Sequence, residues 1–295
     1  MRVLLTGASG LVGRASAAHL ADAGWEVVGL ARRPTGGAEF TQELAADLGS
    51  PVVADAVAAA TEPCDAIVHA AASRERHDHS PEIALTNCLG SQQMLSLAEL
   101  WKVERFVFIS GVTVIGRPRV IPITEAHPAA PLSAYHASKL YGEHLVTISQ
   151  ARSLGGVSLR LTAPVGPRMP DERLLKVFIR RALSGEPLTV AGSGTRRQNY
   201  LDVRDAAGAI DCALKSAVTG IVNVGGQAAI SNRELAELCV TLLDSPSAIR
   251  FGGDDPEEGL DWDVSLARAE TELGFVPEHA LADSIRGLAA ELRSG

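Results

Sequence analysis

The sequence predicts an α/β fold built on a doubly wound parallel sheet. Three observations carry that prediction. Short, continuously apolar runs alternate with helical stretches, as strands buried on both faces do. A glycine-rich turn joins the first run to the first helix. The chain has 295 residues, 46% of them hydrophobic, enough for one large domain or a domain with a smaller lobe.

The elements follow in order. Val3 to Leu5 form the first strand. Leu11, Val12, Ala15, Ala18 and Leu20 mark a helix that Gly24 stops, and "EVVGLAR" is the second strand. Between them lies TGASGLVG, with Gly7, Gly10 and Gly13. The first glycine makes a tight turn, the second admits a pyrophosphate to the backbone, and the third lets helix and strand pack closely. The helix N-terminus then faces the phosphates. This Rossmann-type turn predicts dinucleotide binding by Gly7, Ser9, Gly10, Leu11, Val12 and Gly13.

An acid at the end of the second strand bonds the ribose of NAD, whereas arginine accepts the 2′-phosphate of NADP. This strand ends in Arg32 and Arg33 without an acid, so NADP(H) is expected over NAD(H). Asp47, with Leu48 beside it, is expected at the adenine edge, and Asp55 is its competitor. "CDAIVHAAA" (64–72) is a further strand whose small closing residues, Ala70 and Ala71 among them, leave room for the cofactor. "RFVFISGVTVIG" is another, so Ser110 and Thr113 fall at the carboxyl end of a parallel sheet, where ligands bind.

Tyr135 and Lys139, in "PLSAYHASKLYGEHLV", stand four apart on a helical pattern and share a face. A phenol has a pKa of about 10, and a nearby ammonium stabilises its phenolate. Such a tyrosine exchanges a proton with a carbinol or carbonyl oxygen while hydride moves to or from nicotinamide.

Composition excludes other classes. Net charge is −8 with no basic block, which argues against a nucleic-acid surface. No apolar stretch approaches the ~18 residues that span a membrane. Cys64, Cys88, Cys212 and Cys239 form no C-x-x-C pair. Reduced thiols and a cytoplasmic location are expected, with no signal peptide. His77, Asp78 and His79 in "RERHDH" lack metal-ligand spacing, so a solvated loop and no metal are expected; His136 and His144 are expected at surface positions.

The sequence resembles the extended short-chain dehydrogenase/reductases, the NAD(P)-dependent epimerase/dehydratase group. The carriers are TGASGLVG, "DAIVHAAA", Asn87 in "ALTNCLGSQQML", "SAYHASK", "LRLTAPVGPR", "RRQNYLDVRDAA", "GIVNVGG" and "DVSLARAETELGFVP". The resemblance implies a Rossmann domain over 1–165 and a smaller, mainly substrate-binding lobe over 166–295, with segments around 198–225 returning to the first domain. It implies Tyr135 as acid/base, Lys139 as holder of the nicotinamide ribose, Asn87 near the cofactor, and a homodimer, which the apolar Leu140, Leu145 and Ile148 permit.

Departures from the family pattern narrow the reading. The usual catalytic Ser or Thr falls at Gly111; Ser110 comes one position early and, in a strand, points to the opposite face. Thr113 aligns with a substrate contact. Ala163 and Gln198 stand where Asn and Arg usually hold a nucleotide diphosphate, and Arg168, Arg196 or Arg197 could substitute. Val112 and Thr113 replace the acids that dehydratases use, which demotes elimination. The expected enzyme is an epimerase or ketoreductase acting on a small molecule, a sugar nucleotide above all. The alternatives are an NADPH-dependent ketoreductase on a non-nucleotide ketone, or an NADP-binding sensor with degraded catalysis.

Overall fold

The computed structural model describes residues 1–75 and 77–294. The chain starts with β1 (Arg2–Thr6), α1 (Leu11–Asp22), β2 (Glu26–Ala31), β3 (Gln42–Ala45), α2 (Val53–Ala60) and β4 (Ala66–His69). A π-helical segment, Ile83–Leu89, runs into α3 (Gly90–Trp101). Then come β5 (Arg105–Gly111), a 3₁₀ turn at Val112–Ile115, α4 (Ala134–Gln150), β6 (Gly155–Leu161) and β7 (Ala163–Val165). The remainder is α5 (Leu174–Ser184), β8 (Leu188–Val190), β9 (Arg197–Asp202), α6 (Val203–Lys215), β10 (Gly220–Val224), β11 (Ala229–Ser231), α7 (Asn232–Leu242), β12 (Ile249–Phe251) and α8 (Leu281–Ser294).

Seven strands form one parallel sheet in the order β10-β6-β5-β4-β1-β2-β3. β1, β2 and β4 are buried on both faces, which explains their unbroken apolar runs, whereas the edge strand β3 is only half-buried. On one face α1 and α6 pack through Ala17, Leu20, Ala206 and Ile210. On the other, Val53, Met94, Leu97 and Val146 bring in α2, α3 and α4. Strand order reverses between β1 and β4, so their carboxyl ends diverge there, and this is the crevice where such sheets take ligands.

Beyond β6 the chain builds a second core from Phe178, Ile179, Leu188, Leu235, Ile285 and Leu288. β11, β9 and β7 form a small mixed sheet, and β12 pairs with β8. The crossings between the two cores are specific. β10 extends the main sheet by pairing with β6, and α6 packs on α1. Asp202 caps α6 by accepting from the Arg204 amide at 2.9 Å, and the Ser284 hydroxyl of α8 donates to the same carboxylate at 2.7 Å.

Candidate active site

The turn after β1 forms an anion cradle. Gly7 has φ +70°, and a Cβ there would stand 2.7 Å from the Ala71 amide nitrogen; a Cβ at Gly13 would collide with the Gly7 carbonyl. No side chain caps α1, so its first amides remain open to an anion. The adjoining cavity is lined by Gly7, Ser9 and Gly10 from the turn and by Ala70 and Ala71 after β4. Arg32, Asp47 and Leu48 line it from the far side. Asp47 Oδ1 accepts from the Gly49 amide at 2.9 Å, which fixes its loop, while Asp55 is exposed on α2. These residues fit a dinucleotide: donors at one end, small residues and a carboxylate at the other.

Other candidates lie off this cavity. Leu11 packs against the second core and Val12 against the first. Arg33 is exposed and does not line it. The reading of an end of β2 without an acid needs correction in space. Glu82, from the segment before α3, lines the cavity with its carboxylate 3.5 Å from Arg32. Sequence reasoning missed Glu82 and Thr86 because they enter from a distant segment, with no local motif.

Asn87 is a hub rather than part of the cavity wall. Its side chain is buried, accepts from the Ser73 amide at 2.7 Å, and donates to the Ser73 carbonyl at 3.0 Å and the Ser138 hydroxyl at 2.9 Å. Ser138 donates in turn to the Tyr135 carbonyl at 2.7 Å. On the other side the Ser91 hydroxyl donates to the Asn87 carbonyl at 2.6 Å, and the His69 ring bridges Ser91 (3.1 Å) and Thr6 (2.8 Å). Burial brings His69 down to about 3, with the Lys139 charge adding, so the ring is neutral. This chain of bonds ties β1 to the helix that carries Tyr135 and fixes where that tyrosine stands.

At the start of α4, Ser133 accepts from the His136 amide at 3.2 Å, and Asp78 accepts from the Ala134 amide at 2.8 Å. Asp78 therefore docks the 77–80 segment onto the tyrosine helix; His77 and His79 beside it are exposed. Among the described residues no group of three His, Cys, Asp or Glu could hold a metal. His136 is not the plain surface residue expected. It meets Tyr135 edge-on at 5.5 Å, and its buried Nδ1 has no hydrogen-bond partner among the described residues.

Burial pushes the Tyr135 phenol above its usual range, against the pull of the Arg74 and Arg173 cations. The Arg74 guanidinium lies 5.6 Å from the centre of its ring. Lys139 is buried, and its ammonium donates to the Ile109 carbonyl at 2.8 Å. Burial brings that ammonium down to about 7; Arg74 adds to the effect and Glu143 opposes it. Arg74 and Arg173 are the cations that draw the phenol down, while Lys139 is held on the Ile109 carbonyl.

At the end of β5 the Ser110 hydroxyl donates to buried Glu143 at 2.6 Å, and Arg160 grips the same carboxylate at 2.8 and 2.9 Å. Ser110 as a catalytic hydroxyl is therefore corrected: pleat alternation turns it away from the site, into an ion pair. Gly111 is extended, at φ −147°. Thr113, on the 3₁₀ turn, is half-buried, and its hydroxyl bonds no described residue. A Cβ at Gly111 would lie 3.5 Å from Thr113 Oγ1. Val112 is buried in an apolar cluster with Ile115 and Trp262.

A second cavity opens in the lobe beside Tyr135's arginines, lined by Ala163, Arg173, Arg196, Gln198, Tyr200 and Asn232. Arg168 and Arg197, expected here, are elsewhere. The Arg168 amide is tied to Glu291 at 3.1 Å, and the Arg197 guanidinium pairs with Asp261 at 3.1 Å. Strand alternation along β9 explains the second displacement, and Arg196 lines the cavity instead, paired with Glu257 at 2.5 Å. Arg173 was missed because it precedes α5 with no motif around it.

The family model "NAD dependent epimerase/dehydratase family" matches residues 3–225. The chain is 33% identical over 232 residues to a dTDP-glucose 4,6-dehydratase of Streptomyces niveus, covering 75% of this chain and 68% of that one. The UDP-glucose 4-epimerase of Thermotoga maritima with UDP-glucose shares the fold, with a TM-score of 0.89 at 21% identity over 100% of this chain and 99% of that one. The Thermus thermophilus UDP-glucose 4-epimerase in complex with NAD has a TM-score of 0.86 at 26% identity, over 100% of both chains.

Proposed function

This chain belongs to the NAD-dependent epimerase/dehydratase family, and from that premise we propose that it interconverts a carbinol and a ketone on a nucleotide sugar, as an epimerase or 4-ketoreductase. The observation that carries this reading is the position of Tyr135. Arg74, next in sequence to Ser73 of the dinucleotide cavity, lies over its ring, and Arg173 of the lobe cavity acts on its phenol.

The dinucleotide would sit in the cradle of Gly7, Ser9, Gly10, Asp47, Ala70 and Ala71. When bound, its nicotinamide supplies a hydride acceptor or donor. Tyr135 moves the matching proton. Its half-buried phenol, held above the ordinary range, rests protonated, ready to donate to a ketone oxygen, and Arg74 and Arg173 favour the phenolate that takes a carbinol proton. The Thr113 hydroxyl is the open donor at the end of β5 that can polarise the same oxygen. Lys139 holds the β5 end through Ile109 and is the cation for the cofactor's ribose. Elimination of water needs an acid where Val112 is buried, so dehydration is not proposed.

Exposed Arg32 and Arg33 support NADP(H); the Arg32–Glu82 pair and the NAD of the Thermus relative support NAD(H). Exposed Leu100 on α3 and Ile148 on α4 support pairing of two copies through these helices. The four cysteines are free, in keeping with a cytoplasmic setting.

The test is to incubate the protein and either cofactor with UDP- and dTDP-hexoses and follow the anomeric protons by NMR. A 4-epimer, or a 4-ketosugar consumed with the reduced cofactor, is the expected result. A 4-keto-6-deoxy product would overturn the exclusion of dehydration. Turnover of simple ketones alone would favour the second reading, which Ala163 and Gln198 in the lobe cavity support.

A further inference from the structure

Two arginine guanidiniums near Tyr135 make no hydrogen bond or ion pair among the described residues. Arg74 lies over the phenol ring, and its guanidinium makes no hydrogen bond or ion pair among the described residues. Arg173, half-buried at the start of α5 and lining the lobe cavity, also makes none among them. The two lie close enough that Arg74 adds to the burial that depresses the Arg173 guanidinium, with exposed Glu172 opposing. Beside them His136 Nδ1 is buried and has no partner among the described residues. Several other guanidiniums are paired with carboxylates: Arg160 with Glu143, Arg196 with Glu257, Arg197 with Asp261, Arg204 with Asp202. The two guanidiniums act on each other and on the same phenol, and an anion between them would relieve their repulsion.

Resting on the nucleotide-sugar reading, we propose that Arg74 and Arg173 form a carboxylate subsite at the reaction centre, so that the preferred substrate carries a carboxylate on the carbon next to the reacting carbinol. Arg74 lies over the ring of the group that moves the proton and Arg173 lines the lobe cavity, so the anion they take sits at the sugar end of the substrate. A guanidinium fork matches a planar carboxylate with two parallel bonds. The lobe's other cation, Arg196, remains for the nucleotide end. This subsite would also set the phenol: an anion between the arginines cancels part of the pull they exert on Tyr135, so the charge of the substrate and the acidity of the proton donor are linked.

The test uses two probe pairs that differ only by a carboxylate: UDP-glucuronate against UDP-glucose, and glucuronate against glucose. Binding is measured by calorimetry on wild type, Arg74→Gln and Arg173→Gln, each with excess NAD⁺ and NADP⁺. The expected result is UDP-glucuronate bound about tenfold or more tightly than UDP-glucose by wild type, a ratio that either substitution brings close to one. Equal binding of the two nucleotides by wild type overturns the proposal and leaves the nucleotide-sugar reading standing. Equal weakening of both in the variants means the arginines hold the diphosphate, and also overturns it. If neither nucleotide binds but glucuronate does, through the same arginines, the subsite stands and the nucleotide reading falls. If no carboxylate probe exceeds its neutral partner, the proposal is wrong. Arg74 is exposed, so its variant keeps the test valid should Arg173→Gln fold poorly.

Discussion

The Ser110 hydroxyl and the Glu143 carboxylate meet at 2.6 Å under the end of β5, and this bond turns Ser110 away from the reaction centre. Glu143 keeps Arg160 when Ser110 is lost, so the carboxylate stays paired. Ser110→Ala should lower unfolding free energy by about 1–3 kcal/mol, the range for a lost bond to a buried charged group. Its kcat/KM should stay within about threefold of wild type. Denaturant titration and steady-state kinetics check this, and a large fall in kcat with unchanged stability would return Ser110 to the reaction.

Gly111 leaves room for the missing hydroxyl. A Cβ there meets Thr113 Oγ1 at 3.5 Å and the Leu161 carbonyl at 3.7 Å, ordinary contacts, on extended backbone. Gly111→Ser should fold normally and raise kcat. Thr113→Val should lower kcat by about tenfold or more, as removal of a donor to the reacting oxygen does. In the Gly111→Ser background the Thr113→Val loss should shrink, because the two hydroxyls would serve one oxygen. Strictly additive effects in the double variant would show that Thr113 does not fill this role.

Most of the sheet was legible because β1, β2, β4 and β5 are apolar runs and its first turn has glycines at a spacing only a few backbone tasks require; the polar edge strand β3 carries no such signal. TGASGLVG, "DAIVHAAA" and Asp47 describe one wall of the cavity from local sequence. The other wall was not legible. Glu82 and Thr86 arrive from the segment before α3, and Arg74 and Arg173 reach Tyr135 from two loops that share no motif. Side-chain direction was the second blind spot. Pleat alternation marks Ser110 as facing the wrong way, but the same alternation at Arg196 and Arg197 decides which arginine faces the cavity, and the sequence around them does not mark the register. Lys139 shows a third: helical spacing places it on the Tyr135 face, and only the tertiary fold shows its ammonium on the Ile109 carbonyl.

The Arg32–Glu82 pair should set cofactor choice. Both side chains are largely exposed, so the pair is worth about 1 kcal/mol or less, and a 2′-phosphate can compete with Glu82 for the guanidinium. Glu82→Gln should tighten NADPH several-fold and leave NADH nearly unchanged, and Arg32→Ala should weaken NADPH alone. Fluorescence titration of both reduced cofactors measures the ratio. Parallel changes for NADH and NADPH would mean that neither residue reads the 2′ position.

Tyr135→Phe removes the proton donor and little else, since its backbone is held by Ser138 and its ring by Arg74. Turnover should fall by about 10²–10⁴-fold, with cofactor affinity and unfolding midpoint close to wild type. A variant retaining most of its turnover would place the proton transfer on another group.

His69 gives the acid limb of stability a specific source. Its ring is fully buried between Thr6 and Ser91, and burial lowers its pKa from an ordinary value of about 6.5 to about 3. As pH falls through about 6.5 the unfolded chain takes up this proton first, while the folded protein resists it until about 3. The contribution is therefore fully present above the unfolded value and is lost progressively as pH falls towards the folded one. His69→Gln removes the titration and keeps a polar group between the two hydroxyls. Urea unfolding at pH 7, 5.5 and 4 should show wild type losing more stability than the variant over that range. Parallel curves would mean that the ring is charged, or free to become so, in the folded protein, and that the hydrogen-bond chain from β1 to Tyr135 does not depend on neutral His69.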